Sequence, residues 1–269
     1  ARADEPGVQV DDLLGSVSDA VHAAQENGGG RSEWATRTRD ETQVTPEIRL
    51  AHAILRRPLI AETTEFRFRA LVPLRGQLSS QFLADFALTA PKASQALRIG
   101  RETFVPIARS LNVMRAVDRW QVHTLGQRAC QASQALPELR MLLPMSVDSL
   151  FDPAFPQWLN ADLHGLQCDA DTLALVFDAA QLVEADDVPR ASRAMEAIQT
   201  AGVRLCLSGF TDVGRDQQRL CRLPSVYANL IDWSATTRDW RDLRSRLVGE
   251  SLRHGKLVVM CGVDDPAPL

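Results

Sequence analysis

Residues 202–214 read Gly-Val-Arg-Leu-Cys-Leu-Ser-Gly-Phe-Thr-Asp-Val-Gly, an apolar run that reaches a serine and a glycine. The segment Val203–Phe210 is short and mostly apolar, which favours a buried strand. The residues before it, Val188–Ala201, carry apolar side chains at helical spacing and predict a helix. A helix followed directly by a buried strand is the repeating unit of α/β proteins with parallel sheets.

The same alternation continues on both sides of this unit. Strands are predicted at Phe66–Leu74, Arg140–Val147, Leu173–Ala179, Val203–Phe210, Tyr227–Trp233 and Lys256–Val263. Helices are predicted at 46–56, Phe104–Leu125, Ala129–Leu136, Phe155–Asn160, Val188–Ala201, Arg215–Arg222 and Thr237–His254. Because several such units follow one another, we predict an α/β fold with a TIM-like (β/α)8 barrel. In such a barrel the functional residues lie at the C-terminal ends of the strands.

The first 45 residues have a different pattern. Val10–Glu26 places apolar side chains at helical spacing, and the glycines at 28–30 end that helix. Residues 31–45 are charged and hydroxyl-rich with little periodicity, which is typical of a linker. We therefore divide the chain into an N-terminal helix at 1–30, a linker at 31–45 and a main domain at 46–269.

Composition excludes several classes of function. Thirty basic and 34 acidic residues give a net charge of −4, so no overall field attracts nucleic acid or an anionic membrane. We find no apolar run long enough to span a membrane. The five cysteines are widely spaced without a CxxC pair, which predicts reduced thiols, no metal cluster and a cytoplasmic protein.

A set of short segments resembles a known family. They are Phe104–Ala108, Val117–Trp120, Leu175–Asp178, Gly202–Phe210 and Gly262–Asp264. In their order and spacing they are similar to EAL domains, which hydrolyse the bacterial second messenger cyclic di-GMP. The resemblance covers roughly residues 60–264, and it implies the barrel of the EAL type. Val10–Gly30 similarly looks like the closing helix of a GGDEF domain, and the whole resembles the FimX-like group, in which both domains are degenerate.

Active EAL domains bind two divalent cations at their strand ends, and the resemblance lets those positions be compared. The family's ligands and lysine fall on Asp85 (the signature glutamate), Pro144 (an asparagine), Asp178 and Gln181 (two glutamates), Ser208 and Gly209 (paired aspartates), and Asn229 or Leu230 (the lysine). Most of these side chains cannot coordinate a cation as the family's residues do. We therefore predict no catalytic residue, no metal ligand, no cofactor and no hydrolysis.

Relatives that bind cyclic di-GMP without cleaving it suggest a nucleotide site. By resemblance its residues are Arg69, Phe82, Asp85, Phe86, Leu88, Asp118 and Asp264. Arg69 would contact a guanine or a phosphate, and Phe82 or Phe86 would stack on a base. The residues also allow plainer interpretations: Phe82 and Phe86 as core, Arg69 as solvated, Asp85 as an exposed loop acid, Asp178 as a strand-end acid bound by backbone amides, and Asp118 as a helix-surface partner of Arg115 or Arg119.

The resemblance implies a non-catalytic regulatory domain that acts as a cyclic di-GMP receptor, a protein-interaction module, or both. The alternative is a residual cyclic di-GMP phosphodiesterase. The partners it implies are the nucleotide, a signalling protein such as a PilZ-type protein, and a second copy of the chain. The family continues beyond Gly262–Asp264 with a further helix and strand. Without them the barrel would be open, and further residues of the protein, the N-terminal helix or another chain could cover the gap.

Overall fold

The computed structural model describes residues 45–73, 80–90, 97–136, 138–184, 188–210, 219–220, 222–232 and 238–262. The chain divides between Arg49 and Leu50 into two units, and the second, Leu50–Leu269, contains the sheet. The predicted N-terminal helix and all but the last residue of the predicted linker lie outside the described residues.

The core is one curled sheet. Its strands are β1 (Thr64–Ala70), β2 (Gln81–Thr89), β3 (Arg98–Ile99), β4 (Arg140–Pro144), β5 (Leu173–Asp178), β6 (Arg204–Ser208), β7 (Val226–Asp232) and β8 (Leu257–Cys261). The order along the sheet is β1-β2-β4-β5-β6-β7-β8, with β3 paired to β2. The first pair is antiparallel, and β2 and β4–β8 are parallel. The α/β class with a barrel-like parallel sheet is thereby confirmed. Within the described residues no ladder joins β8 to β1.

Helices connect these strands. They are α1 (Pro46–Leu55), α2 (Arg101–Ser110), α3 (Met114–Ser133), α4 (Val147–Leu150), α5 (Phe155–Gly165), α6 (Ala179–Glu184), α7 (Val188–Gln199) and α8 (Arg238–Arg253). Single 3₁₀ turns at Ala61–Thr63 and Ala170–Thr172 precede β1 and β5. Among the helices of the described residues, none combines the length and the apolar character that a membrane span needs.

Alternation along each strand separates the two faces of the sheet. On β5, Leu175 and Phe177 belong to the large core that the helices complete, and both are fully buried. Their neighbours Ala174 and Val176 join a smaller cluster with Leu142 of β4 on the inner face of the curl. The outer core is the larger of the two clusters, and each fully buried leucine or phenylalanine in it contributes about 1.5–3 kcal/mol. The polar residues of the inner face lie beside the smaller cluster and at the strand ends.

The predicted helix Phe104–Leu125 is wrong in its boundaries, because the chain forms two helices there. Asn112 adopts φ 56°, a left-handed conformation that asparagine tolerates better than most residues. Its N–H donates to the carbonyl of Arg109 at 3.0 Å, and the N–H of Val113 donates to Ala108 at 2.9 Å. This pair of bonds is a Schellman motif, which ends α2 before α3 begins.

Candidate functional site at the C-terminal strand ends

The C-terminal ends of β4, β5 and β6 lie side by side. Asp178 pairs with Ser208 in the β5–β6 ladder, and Pro144 pairs with Val176, two residues earlier on β5. The carboxylate of Asp178 accepts the backbone N–H of Gln181 at 3.0 Å, at the start of α6. The expectation that backbone amides bind this acid is therefore confirmed for one amide.

Gly209 follows Ser208 and lies against that same carboxylate. Its φ is +66°, and a Cβ added there would lie 2.4 Å from Oδ2 of Asp178. A side chain at position 209 would thus require both an unfavourable backbone conformation and a displaced Asp178. The two positions are sterically coupled.

Gln181 is held by an arginine from a distant segment. Arg109 at the end of α2 donates from Nη2 to Oε1 of Gln181 and from Nε to Oδ2 of Asp148, each at 2.8 Å. One guanidinium therefore links α2, α4 and α6 at this edge of the site. Among the residues that the structure describes, no group of three or more His, Cys, Asp or Glu side chains has the geometry to hold a metal ion.

Asp85 lies in β2 on the inner face of the sheet. Arg98 donates to its Oδ2 at 2.7 Å and also contacts Glu65 at 3.3 Å, while Arg69 lies 3.9 Å from the same carboxylate oxygen. The interpretation of Asp85 as an exposed loop acid is wrong, because the residue is within a strand and its side chain is 30% exposed.

Arg69 is the most accessible of the predicted site residues in the described part of the chain. Its side chain is 70% exposed and it stands opposite Leu83 in the β1–β2 ladder, on the inner face. It also opposes the rise in the pKa of the Cys261 thiol, which burial causes. Since Cys261 belongs to β8, Arg69 lies where β1 and β8 approach one another.

Phe82, Phe86 and Leu88 occupy the other face of β2. Phe86 and Leu88 are fully buried, and Phe82 packs partly buried against the outer core. Phe86 contacts the rings of Phe66, Phe104 and Trp120 at centroid distances of 5.2, 5.5 and 5.8 Å. The interpretation of Phe86 as core is confirmed. These three side chains therefore do not share a face with Arg69 and Asp85.

Asp118 is completely buried on α3, so its interpretation as a helix-surface partner of a neighbouring arginine is wrong. Its Oδ2 accepts the N–H of Ser146 at 3.1 Å, the hydroxyl of Ser149 at 2.7 Å, and the hydroxyl of Ser146. Burial raises the pKa of this carboxyl, and the nearby charge of Arg101 works in the opposite direction. Asp118 thus fastens the beginning of α4 to α3.

Two residues were candidates for the family's lysine position, and the structure separates them. Leu230 belongs to the inner cluster of the sheet. Asn229 is fully buried and donates from Nδ2 to the hydroxyl of Ser251 on α8 at 2.9 Å. Leu230 is therefore the residue that faces the inner side of the strand ends.

Asp264, the last predicted site residue, lies outside the described residues. The sequence interpretation missed Arg98, Arg109 and the serine pair at 146 and 149. A serine at the start of a helix usually predicts an N-cap, yet the side chain of Ser146 makes no capping bond and binds Asp118 instead. For Arg109 we find no local signal, because its partners are 39 and 72 residues away.

Comparison with known proteins identifies the family of the chain and solved structures with a similar fold. The sequence model of the EAL domain matches residues 54–267. An uncharacterised 76.5 kDa protein of Thiocystis violacea is 22% identical over 96% of the chain, which spans only 37% of that relative's length. The FimX EAL domain of Pseudomonas aeruginosa, solved with cyclic di-GMP, is similar in structure, with 16% identity, a TM-score of 0.68, and coverage of 83% of this chain and 88% of that one.

A GGDEF-EAL segment of LapD from Vibrio cholerae is also similar, with 13% identity, a TM-score of 0.64, and coverage of 97% of this chain and 61% of that one. At these identities the structural likeness concerns the fold alone. The family match covers most of the chain, from the end of α1 through β8. The chain belongs to the EAL domain family.

Proposed function

We propose that this chain is a non-catalytic EAL domain of cyclic di-GMP signalling that binds the nucleotide at the C-terminal strand ends. The observation that carries the proposal is the set of bonds at those ends. Asp178 is tied to the start of α6, and Gln181 is tied to Arg109. The strand ends thus keep the fold of a family that works on the nucleotide but lack its chemistry.

The residues present do not fit two divalent cations. Mg²⁺ and Mn²⁺ are bound by several oxygen ligands, usually carboxylates, in a nearly octahedral arrangement. Pro144 and Gly209 offer no side-chain oxygen, and the carboxylate of Asp85 is paired with Arg98. We derive no hydrolytic step for this site.

Cations on the inner face support nucleotide binding. Arg67 and Arg69 of β1 are both largely exposed there, and guanidinium groups recognise phosphate oxygens and stack on bases. The P. aeruginosa FimX EAL domain was solved with cyclic di-GMP, and it shares this fold. The proposed nucleotide contacts do not include the predicted site residues that lie on the helix side of the sheet or are buried. These are Phe82, Phe86, Leu88 and Asp118.

The experiment is a calorimetric titration with cyclic di-GMP, without metal and with Mg²⁺ or Mn²⁺, followed by chromatography of the nucleotide. We expect saturable binding without metal and no linear dinucleotide. Metal-dependent turnover would establish the alternative, a residual phosphodiesterase. If no heat of binding were measured at high ligand concentration, cyclic di-GMP would not be a ligand of this domain. A protein partner would then be the remaining proposal.

Arg69→Ala sharpens this test. We expect a loss of affinity of about ten-fold, because one charge-assisted contact with a phosphate or base is removed. Arg253→Ala is the matched control, since that arginine is also 70% exposed but lies at the end of α8. Equal affinities for the two variants would contradict the assignment of Arg69.

Finer features belong to the same proposal. The family resemblance implies five of these: a cytoplasmic location, a preceding GGDEF-like helix at 1–30, FimX-like behaviour, a PilZ-type or other protein partner, and pairing of two copies. The LapD segment, which joins GGDEF and EAL domains, supports the preceding helix. A pull-down with PilZ-type proteins, with and without cyclic di-GMP, tests the partner separately from the nucleotide.

A further inference from the structure

A polar pocket lies at the N-terminal ends of the parallel strands, at the opposite end of the sheet from the proposed nucleotide site. Its volume is about 490 Å³. The residues around it come from the N-terminal ends of β5, β6, β7 and β8. Its polar side chains include Asp171, Arg204, Ser225, Tyr227 and Lys256. The strand ends of the proposed nucleotide site lie at the other end of the same parallel strands. The pocket is therefore separate from that site.

Two arginines meet one carboxylate beside this pocket. Arg140 donates from Nη2 to Oδ2 of Asp171 at 2.7 Å, and Arg204 donates to both carboxylate oxygens of Asp171. These contacts lower the pKa of the Asp171 carboxyl, the hydrogen bond from Arg204 being the largest cause, so it is ionised at neutral pH. Of the charged side chains that line the pocket, Arg204 and Lys256 are positive and Asp171 is negative, so the lining carries a formal charge of +1.

Tyr227 is the centre of the cluster. The guanidinium of Arg204 lies 4.3 Å from its ring centroid and that of Arg140 lies 5.4 Å away. Arg140 also donates from Nη1 to the tyrosine oxygen at 3.2 Å. Both guanidinium groups are thereby held in fixed positions, which reduces the entropy lost when an anion binds them.

Two buried polar groups complete the wall. Lys256 is 8% exposed, and its ammonium donates to the carbonyl oxygens of Leu223 and Pro224 at 2.6 and 3.3 Å. Ser225 is 4% exposed, and its hydroxyl finds no hydrogen-bond partner among the residues that the structure describes. A buried hydroxyl without a partner costs free energy, and a ligand oxygen in the pocket would satisfy it.

We propose that this pocket binds a small organic phosphate, with the phosphate on Arg204 and Lys256 and the polar remainder on Ser225. The positive formal charge selects an anion, and Arg204 can bind a phosphate oxygen through Nη1, because its bonds to Asp171 come from Nε and Nη2. The volume lies within the range of ligand pockets and is ample for a sugar phosphate. The mostly polar wall favours a hydroxylated body over an apolar one.

The sequence contains a single tyrosine, Tyr227, which gives the pocket its own reporter. Protein labelled with ¹³C-tyrosine shows one tyrosine ring system, and its resonances can be followed by NMR during titration with ribose 5-phosphate. We expect a saturable shift below about 10 mM, and none with unphosphorylated ribose at the same concentration. No saturable shift, or the same shift with ribose, would overturn the proposal.

Lys256→Gln removes the charge but keeps a donor for the two carbonyl oxygens, and we expect at least about ten-fold weaker binding. Ser225→Ala, which removes only the unpartnered hydroxyl, should weaken binding about three-fold. The control is Arg193→Gln, an exposed position on α7 with the same change of charge. Wild-type affinity in both pocket variants would refute the site.

Saturating cyclic di-GMP distinguishes this proposal from the proposed function. We expect the ribose 5-phosphate titration to be unchanged, because the two sites lie at opposite ends of the sheet. Competition between the two ligands would show that both bind at one site, and would overturn the proposal of a separate phosphate pocket. Absence of cyclic di-GMP binding with a retained phosphate site would refute only the proposed function.

Discussion

The two ends of the parallel sheet hold their charged side chains in different ways. At the C-terminal ends, the groups in the family's metal positions bond inward to the protein, as Asp178 does with Gln181 and Gln181 with Arg109. At the N-terminal ends, Asp171 gathers Arg140 and Arg204 beside an open pocket. The strand-end groups at positions 178 and 181 thus support neighbouring helices, while the charged cluster at the other end lies beside a pocket.

The largest effect should come from the C-terminal side, where polar groups are fully buried. Asp118→Ala would leave Ser146 and Ser149 without their acceptor, and we expect a loss of about 3–5 kcal/mol in the free energy of unfolding. Urea unfolding followed by circular dichroism measures it. If these bonds were unimportant, the variant would unfold at the wild-type midpoint.

Asp118→Asn is the control, because it keeps one oxygen as an acceptor and removes the buried charge. Burial raises the pKa of the Asp118 carboxyl, so the ionised form is disfavoured in the folded state. The asparagine variant should therefore be closer to wild type than the alanine variant. Its disadvantage should shrink as the pH rises through the raised pKa, because wild type then has to bury a charge.

The second prediction compares two glycines, one at each end of the sheet. Gly209→Ala should cost about 2 kcal/mol, because it combines a left-handed backbone with a contact to Asp178. Gly255 has a similar φ of +67° but open space around its Cα, so Gly255→Ala should cost only about 1 kcal/mol. The difference between their urea midpoints isolates the contact with Asp178.

Asp178→Ala in the Gly209→Ala background completes the test. The two substitutions should be less costly together than the sum of the single variants, because the second removes the group that the first displaces. If the losses in the free energy of unfolding of the two variants were strictly additive, the Asp178 side chain would move away from the new methyl group at position 209 without loss of stability.

The sequence predicted the helices and strands from β4 onward in their order, because periodicity and apolar runs are local properties, but it missed the strands β2 and β3. It missed the end of α2, which depends on Asn112 adopting one backbone conformation. It also placed Phe86 in a nucleotide site, although alternation along β2 turns it toward Trp120. Facing direction depends on which neighbour a strand pairs with, and that pairing is not local.

Contacts between distant segments explain the remaining differences. The serines that bind Asp118 are 28 and 31 residues away from it, and Tyr227 is 87 residues from Arg140. Neither distance leaves a spacing motif in the sequence. The family resemblance located the strand-end positions, but their bonding partners, and the whole pocket at the other end, required the three-dimensional arrangement.

The smallest predicted effect concerns the N-terminal end. Asp171→Asn should destabilise the protein by about 1 kcal/mol or less, because the carboxylate is 40% exposed and solvent screens its ion pairs. Added salt at about 1 M should reduce this difference further, since the Debye length falls to about 3 Å. Asp242→Asn, at an exposed position on α8, is the matched control.

The pH dependence of the same variant decides whether the ion pairs cause the effect. Arg204 and Arg140 lower the pKa of the folded Asp171 carboxyl below the unfolded value of about 3.9. A lowered folded pKa contributes stability that is present above the unfolded pKa and is lost as the pH falls through the folded one. The difference between wild type and Asp171→Asn should therefore be constant from about pH 7 to about pH 5 and shrink below about pH 4. A difference that stayed constant to about pH 3 would assign the effect to neutral hydrogen bonds and not to the ion pairs of Asp171.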